Sequence, residues 1–372
     1  MKICVFGAGA IGGYLAVELS LAGHNVCAIA RGAHLKAIQQ NGLKLLTEGQ
    51  TKIARIEASD DPRTLGPQDI VISALKAHQA YASAAEFLPL LRDDTPIVVA
   101  INGIPWWYFY KSGGSFEGHH LDSVDPGGRL WDTLGPERAI GCVIQPASEV
   151  IAPGVVEHKE FRRFTLGEPN GSLSRRVQVL SEVLSGAGFD PVVREDIRWN
   201  VWLQLWGNIC FSPISALTCT TLDRITTDTS LRALCKAMMA ETQAVNESHG
   251  IHIPSEMADR RLAAAASTIG HKMSMLQDLE RCRSMEIDPI VAAVQELGRL
   301  AGVKTPVIDV VLALVQERAR VAGLYPADSM TTSVRVGNLD AEGANGVQPS
   351  ATQTSAGLGR IPANLVHARR DL

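Results

Sequence analysis

The first half of the chain alternates short apolar runs with segments that have a helical period. The apolar runs occupy residues 2–6, 25–30, 69–74 and 96–101, and a helix-like segment at 78–91 separates the last two. Short apolar strands joined by helices are typical of a parallel sheet that is buried on both faces. The pattern therefore predicts an α/β fold, in which ligands bind beyond the carboxyl ends of the strands.

The pattern changes after residue 130. Short strand-like runs at 139–147, 154–158, 163–167 and 191–194 are separated by Pro, Gly and Asn, and a helix-like segment lies at 173–184. Runs of this kind, close together in sequence, are not spaced for regular β-α-β units. We expect a mixed or antiparallel extension of the first sheet.

From residue 196 onward the pattern is almost entirely helical. The predicted helices are 197–211, 231–248, 257–279, 289–301 and 307–321. We therefore expect an α/β Rossmann-type dinucleotide-binding domain over 1–195 and an all-α domain for substrate binding and dimerisation over 196–325, with the active site in the cleft between them. Residues 326–372 lack a sustained apolar period, and we expect a disordered tail.

A glycine-rich turn, Gly7-Ala8-Gly9-Ala10-Ile11-Gly12, follows the first apolar run directly. A helix-like stretch comes next, Gly23 marks its end, and the second apolar run returns. In dinucleotide-binding βαβ units the glycines permit a tight turn, and the N–H groups at the start of the helix bind the pyrophosphate. A turn that binds nothing is the alternative, and these flanking elements favour the binding site.

The residue after the second strand indicates which coenzyme is used. NAD-specific folds usually place Asp or Glu there for the ribose 2′-hydroxyl, whereas a 2′-phosphate requires a cation. This chain has Arg31 and no acid at that point. The arginine favours NADPH, because a guanidinium can bind a phosphate with two hydrogen bonds. A solvated surface arginine is the alternative.

Composition and charge exclude several classes of protein. The chain has 372 residues, 46% of them hydrophobic, and a net charge of −4. This balance is unlike that of a disordered chain or of a basic nucleic-acid surface. The seven cysteines are scattered without a Cys-x-x-Cys pair, so we expect reduced thiols and no metal site. With no signal or membrane segment in the pattern, we expect a soluble, cytoplasmic protein.

A polar stripe marks the helix that opens the second half. Asn200, Gln204, Asn208 and Ser212 follow at steps of four on a helix that is otherwise apolar nearly all round, and Pro213 is expected to end it. Buried amides need hydrogen-bond partners. The stripe either lines a wet cleft, which we favour, or meets polar groups on a neighbouring helix.

Two further clusters carry candidate chemistry. Residues 271–278, Arg281 and Arg283 offer cations and a hydroxyl that could hold a substrate carboxylate, and Glu286 could orient a hydroxyl or a ribose; a solvated helix is the alternative. The aromatic run 106–110 could form one wall of a site, but packing against the core is the favoured interpretation.

Six short motifs, taken in order, resemble one family. They are Gly7–Gly12, Leu75-Lys76-Ala77-His78-Gln79, Asn102-Gly103, Asn208-Ile209-Cys210-Phe211-Ser212-Pro213, Ser274-Met275-Leu276-Gln277-Asp278 and Glu286-Ile287-Asp288. They resemble the ketopantoate reductases, also called 2-dehydropantoate 2-reductases, and the resemblance covers about residues 1–322. The resemblance implies a Rossmann domain joined to a helical domain like that of 6-phosphogluconate dehydrogenase. It also implies NADPH-dependent reduction of 2-dehydropantoate to (R)-pantoate in pantothenate biosynthesis.

The resemblance assigns roles to individual residues. Gly7, Ala8, Gly9, Ala10, Ile11 and Gly12 would hold the pyrophosphate. Arg31 would hold the 2′-phosphate. Lys76 would contact the cofactor and the reaction centre, and Asn102 would contact both ligands. The remaining assignments are a backbone cofactor contact for Ala147, substrate positioning for Asn208, Ser212 and Ser274, and a contact of Glu286 with the cofactor ribose or the substrate hydroxyl.

Two positions depart from the family pattern, and the first affects the chemistry. Gln204 stands where the family has its proton-donating lysine, and Ser212 stands where it has a second asparagine. An ammonium can protonate the oxyanion that forms during reduction, whereas a carboxamide can only donate a hydrogen bond to it. Three alternatives follow: a slow reductase that takes its proton from Lys76 or water, a paralogue with another substrate, or an NADP(H)-binding sensor without turnover.

Overall fold

The first apolar run of the chain forms an inner strand of the larger of two sheets. The computed structural model describes residues 1–326. In the first strand, Ile3, Cys4, Val5 and Phe6 are all buried, as expected for a parallel strand covered on both faces. The prediction of a disordered tail over 326–372 falls, apart from its first residue, outside the described residues.

The strands in this part of the chain form two sheets. They are β1 (Lys2–Phe6), β2 (Asn25–Ile29), β3 (Leu43–Thr47), β4 (Gln50–Ala54), β5 (Glu57–Ser59), β6 (Ile70–Ser73), β7 (Ile97–Ala100), β8 (Ala139–Ile144), β9 (Ala147–Ala152), β10 (Val155–Glu160), β11 (Arg163–Gly167) and β12 (Asp190–Val193). The larger sheet has the order β12-β11-β8-β7-β6-β1-β2-β5. Its strands are parallel from β5 to β8, and β11 runs antiparallel to β8, which confirms the predicted mixed extension.

The smaller sheet, in the order β4-β3-β10-β9, was not predicted. Its strands are short and half-exposed, so the apolar signal is weak. The first helix, Ala10–Leu21, contacts strands of both sheets, which explains why this helix is buried nearly all round. Its Gly13 packs against Val156 of β10, and its buried Glu18 pairs with Lys52 of β4 at 2.8 Å.

The helices follow the predicted order with two corrections. They are α1 (Ala10–Leu21), α2 (Gly32–Asn41), α3 (Ala77–Ala82), α4 (Arg129–Leu134), α5 (Arg175–Gly186), α6 (Ile197–Thr218), α7 (Leu222–Thr227), α8 (Thr229–Ser248), α9 (Glu256–Ala266), α10 (Ser274–Glu280), a π-helical turn (Asp288–Ala292), α11 (Ala293–Ala301) and α12 (Pro306–Val321).

The first correction is that Pro213 does not end α6, which continues to Thr218. A buried proline inside a helix costs roughly 3 kcal/mol, and the apolar packing around this helix offsets that cost. The second is that the predicted helix 257–279 is two helices, α9 and α10. Gly270, with φ +75°, lies in the connection between them. The domain boundary at 195/196 stays a prediction, because residues 1–326 belong to one compact unit.

Helix α6 forms the centre of the helical part and also reaches the larger sheet. Its Trp202 and Trp206 are fully buried. The start of the helix lies against Gly167 of β11, where an added Cβ would be 2.7 Å from the Cβ of Ile197. The indole N–H of Trp202 donates to the hydroxyl of Tyr108 at 2.6 Å. The aromatic run 106–110 is therefore part of the core, as its packing interpretation predicts.

Three general observations on residues 1–326 concern membrane-spanning helices, metal-binding clusters and cysteine thiols. None of their helices is long and apolar enough to cross a bilayer. They contain no cluster of three or more His, Cys, Asp or Glu side chains arranged to hold a metal ion. All seven cysteines are free thiols, and only Cys219 and Cys282 are exposed.

Candidate active site

A cavity of about 800 Å³ lies where the parallel strands of the larger sheet end. Its walls come from the turns after β1, β2, β6 and β7 on one side and from the α10 segment on the other. The residues of interest in its lining are Gly7, Ala8, Gly9, Ala10, Ile11, Arg31, His34, Lys76, Asn102, Ile144, Glu149, Ser274, Gln277, Asp278, Arg281, Arg283 and Glu286. The carboxyl ends of parallel strands are the usual ligand site of such sheets, and this volume is within the range of ligand pockets.

The glycine-rich turn forms one end of the cavity. Gly7 has φ +99°, and its N–H donates to the carbonyl of Ile29 at 3.1 Å. A Cβ on Gly12 would lie 2.0 Å from the carbonyl oxygen of Gly7, so the turn requires glycine there. A Cβ on Gly9 would meet no atom within 4 Å, so this face of the turn is open. The open face and the N–H groups at the start of α1 fit a diphosphate.

His34 holds this turn in place, although the sequence analysis did not select it. The backbone N–H of Gly154 donates to Nδ1 of His34 at 3.0 Å, so the ring proton is on Nε2. Nε2 in turn donates to the carbonyl oxygen of Ala8 at 2.7 Å. Burial lowers the pKa of His34, which keeps the imidazole neutral. One ring therefore links the glycine turn to the β9–β10 hairpin of the smaller sheet.

Arg31 lies at the end of β2, at the side of the cavity. Its Nη2 donates to Oε2 of Glu86 at 2.7 Å and to Oγ of Ser83 at 3.3 Å. Both charged side chains are substantially exposed, at 63% and 41%. Exposed ion pairs contribute at most about 1 kcal/mol, so Arg31 can exchange Glu86 for a phosphate at low cost.

Lys76 crosses the cavity from the end of β6 to the α10 segment. Its Nζ donates to Oδ2 of Asp278 at 2.6 Å and to the carbonyl oxygen of Ser284 at 2.7 Å. An ammonium has three N–H donors, so one has no partner within residues 1–326 and can bind a ligand. Burial raises the pKa of Asp278, and the charge of Lys76 opposes that rise.

Asn102 and Glu286 lie together next to Lys76. The amide of Asn102 and the backbone N–H of Ala77 favour the charged form of the Glu286 carboxyl group and so lower its pKa. Burial raises the pKa of Glu286 to about 7, and the charge of Asp278 adds to this rise while Lys76 opposes it. Glu286 can thus be protonated or charged near neutral pH, which suits a group that exchanges hydrogen bonds with a hydroxyl.

The backbone requires glycine at position 103, directly after Asn102. Gly103 has φ +90°, and a Cβ there would lie 2.2 Å from the carbonyl oxygen of Pro289. The N–H of Ile104 donates to the same oxygen at 2.8 Å. This contact sets the turn after β7 directly against the π-helical turn, and it brings Asn102 to Glu286.

Two family models match the chain and together cover most of it. Residues 3–171 match the model described as ketopantoate reductase PanE/ApbA, and residues 196–319 match the model of its C-terminal domain. The chain belongs to the ketopantoate reductase family. Ketopantoate reductases are oxidoreductases that use a nicotinamide dinucleotide, and the family's Rossmann and helical domains agree with the fold seen here.

Two similar proteins support this assignment, and a third shares the fold alone. A 2-dehydropantoate 2-reductase of Mesorhizobium japonicum is 52% identical over 307 residues, which cover 82% of this chain and 94% of that protein. A candidate ketopantoate reductase from Ralstonia solanacearum MolK2 has a TM-score of 0.84 at 40% identity, covering 87% and 99% of the two chains. A D-mandelate dehydrogenase solved with NADH and anilino(oxo)acetate shares the fold, with a TM-score of 0.75 at 20% identity, covering 87% and 100%.

Some residues selected from the sequence as ketopantoate reductase positions do not line the cavity. Gln204 donates from Nε2 to the carbonyl oxygen of Ile144, a lining residue, at 2.5 Å. The half-buried side chain of Asn208 forms no hydrogen bond within residues 1–326, and Ser212 is fully buried with an unpartnered hydroxyl. Ala147 lies on β9 beside Ser148, which does line the cavity. The ligand roles of these residues stay predictions.

The substitution Glu286→Gln tests the buried carboxyl group. A raised pKa means that folding favours the protonated acid, so the contribution of Glu286 to the free energy of unfolding falls as pH rises from about 4.5 to about 7. The variant lacks this fall. We therefore expect the free energy of unfolding of the variant, relative to that of the parent protein, to rise by up to about 3 kcal/mol from pH 5 to pH 8. Urea unfolding at both pH values measures the change.

A matched control is Glu247→Gln on the exposed face of α8. This substitution should change the free energy of unfolding by less than about 0.5 kcal/mol at either pH. A difference between Glu286→Gln and the parent that is the same at pH 5 and pH 8 would contradict a buried carboxyl group with a raised pKa.

Proposed function

We propose that this protein catalyses the NADPH-dependent reduction of a 2-oxo acid, and that the substrate is 2-dehydropantoate, reduced to (R)-pantoate for pantothenate biosynthesis. The observation that carries the proposal is the convergence of Lys76, Asn102 and Glu286 in one cavity whose other end is the glycine turn. The name of the relative at 52% identity supports the choice of substrate.

The residues of the cavity have complementary roles in this reaction. The bound coenzyme supplies the hydride that is added to the ketone carbon. Lys76 would donate its remaining N–H to the ketone oxygen, stabilise the negative charge that forms there, and transfer the proton to it. Asn102 and Glu286 hold the substrate hydroxyl or the ribose, and Ser274 holds the substrate from the helical side. No metal takes part in this scheme.

The carboxamide of Gln204 has no acidic proton to transfer, so the proposal assigns proton transfer to Lys76. The carboxamide of Gln204 already donates to Ile144, which leaves it a positioning role at the wall of the cavity. A water molecule is the second source of the proton. A family paralogue with another substrate and an NADP(H)-binding sensor without turnover are the competing functions.

A turnover assay with the purified protein, NADPH and 2-dehydropantoate tests the proposal. Oxidation of NADPH, followed at its absorbance maximum, supports the reductase. Oxidation with a different 2-oxo acid only would support the paralogue. Binding of NADPH, seen by fluorescence titration, without oxidation by any of several 2-oxo acids would support the sensor.

The choice between NADPH and NADH depends on Arg31. We expect Arg31→Ala to weaken NADPH binding by about 1.5 to 3 kcal/mol and to leave NADH binding nearly unchanged, because only NADPH has the phosphate. Glu86→Gln should strengthen NADPH binding by less than about 1 kcal/mol, because it frees Arg31 and removes a nearby negative charge. Fluorescence titration measures both variants.

The two substitutions control for each other because they should change NADPH affinity in opposite directions. An equal loss of both coenzymes in Arg31→Ala would contradict the phosphate role. The cytoplasmic location and the possible homodimer through the helical domain stay predictions.

A further inference from the structure

The cavity is lined by four Lys and Arg side chains, and three of them have a carboxylate partner. Arg31 pairs with Glu86, Lys76 with Asp278, and Arg281 with Glu149. The fourth, Arg283, forms no ion pair and no side-chain hydrogen bond within residues 1–326. Its exposed guanidinium is therefore the lining cation that can bind an anion without releasing a carboxylate.

A backbone hydrogen bond fixes the position of Arg283 in the chain at the end of α10, and the residue lines the cavity. Its N–H donates to the carbonyl oxygen of Asp278 at 2.8 Å, which closes a turn at the end of α10. The preceding Cys282 has φ +52°, in the left-handed region. Burial is the main cause of the lowered pKa of His34, and the charge of Arg283 contributes to it. Arg283 and His34, the imidazole that holds Ala8 of the glycine turn, both line the cavity.

We propose that Arg283 binds the diphosphate of the dinucleotide from the helical side of the cavity, opposite the N–H groups at the start of α1. This inference rests on the proposed function and adds a residue to its coenzyme site. A diphosphate carries two negative charges, and the helix N-terminus supplies only about half a positive charge. A guanidinium can neutralise one phosphate and bind it with two hydrogen bonds.

Two other cations are less suited to this role. Arg281 is held by Glu149, which also pairs with Lys159 at 2.6 Å. Arg31 lies beyond the end of β2, where the adenosine ribose of a dinucleotide binds in Rossmann folds. Each arginine then binds a different anionic group of the coenzyme. Arg31 binds the 2′-phosphate, and Arg283 binds the diphosphate.

Calorimetric titration with two adenine ligands separates these roles. The first is 2′-phospho-ADP-ribose, which has both anionic groups, and the second is adenosine 2′-monophosphate, which has no diphosphate. We expect Arg283→Gln to weaken the first ligand about 10- to 100-fold and to leave the second within about twofold. Arg31→Ala should weaken both. Arg283→Lys, which keeps the charge, should lose less than Arg283→Gln.

The control is Arg260→Gln, which removes an exposed arginine of α9 that is not part of the cavity lining. It should change neither affinity by more than about twofold. Equal weakening of both ligands by Arg283→Gln, or no weakening, overturns the inference while the parent protein still binds. A parent protein that binds neither NADPH nor 2′-phospho-ADP-ribose overturns the proposed function and this inference with it.

Discussion

Replacing Gly9 with alanine is expected to abolish most of the coenzyme affinity without unfolding the protein. A Cβ on Gly9 meets no atom within 4 Å, and the backbone φ of −72° is open to alanine. The new methyl group would, however, occupy the space in which the diphosphate approaches the turn. Steric overlap of this kind costs about 1–3 kcal/mol, which predicts a loss of NADPH affinity of up to about 100-fold.

Gly12→Ala is the matched variant in the same turn. Its Cβ would lie 2.0 Å from the carbonyl oxygen of Gly7, so the turn itself must move. This variant should therefore lose thermal stability as well as affinity, whereas Gly9→Ala should keep the melting temperature within about 2 °C of the parent. Thermal unfolding and NADPH titration of both variants measure the contrast. Normal NADPH binding by Gly9→Ala would show that the open face is not the diphosphate site.

The second large expected effect is on the transfer of a proton to the ketone oxygen. We expect Lys76→Met to lower the single-turnover rate about 10²- to 10⁴-fold, because the variant has no ammonium to stabilise and protonate the ketone oxygen. Gln204→Ala should lower the same rate less than tenfold, because the carboxamide only donates to Ile144. Stopped-flow measurement at saturating NADPH and substrate separates this step from binding.

The variant Lys76→Met also leaves Asp278, which is 16% exposed, without its partner. Its melting temperature and its NADPH affinity must therefore be measured, and the double variant Lys76→Met/Asp278→Asn, which removes the unpaired charge, provides the control for folding. A Gln204→Ala rate as low as that of Lys76→Met would place the proton path at α6 instead.

The sequence predicted the elements whose pattern is strong. The central strands, the glycine turn and the long helices α6, α8 and α12 have apolar runs or periods that local reasoning detects. The smaller sheet was not predicted because its strands are paired over long sequence separations, such as β3 with β10, and half-exposed strands have a weak alternation. The prediction that α6 ends at Pro213 was wrong, because tertiary packing around this helix outweighs the local preference of proline.

In the candidate site, too, some features were predicted from the sequence and others were not. Lys76 and Asn102 were selected from the resemblance to the ketopantoate reductases, and both lie in the cavity on turns that follow parallel strands. The pairing of Lys76 with Asp278 and of Arg31 with Glu86 could not be predicted, because each joins segments that are far apart in sequence. The bridging role of His34 depends on a hairpin in the unpredicted sheet, so its place on the first turn of α2 was the only signal.

The imidazole of His34 has a consequence for behaviour in acid. It can accept the N–H of Gly154 only while Nδ1 is unprotonated. Because burial lowers its pKa, the folded protein resists protonation there, and the stability that this neutral ring contributes is lost as pH falls below the ordinary histidine range. Acidification is thus expected to weaken the link that His34 makes between the glycine-rich turn and the β9–β10 hairpin.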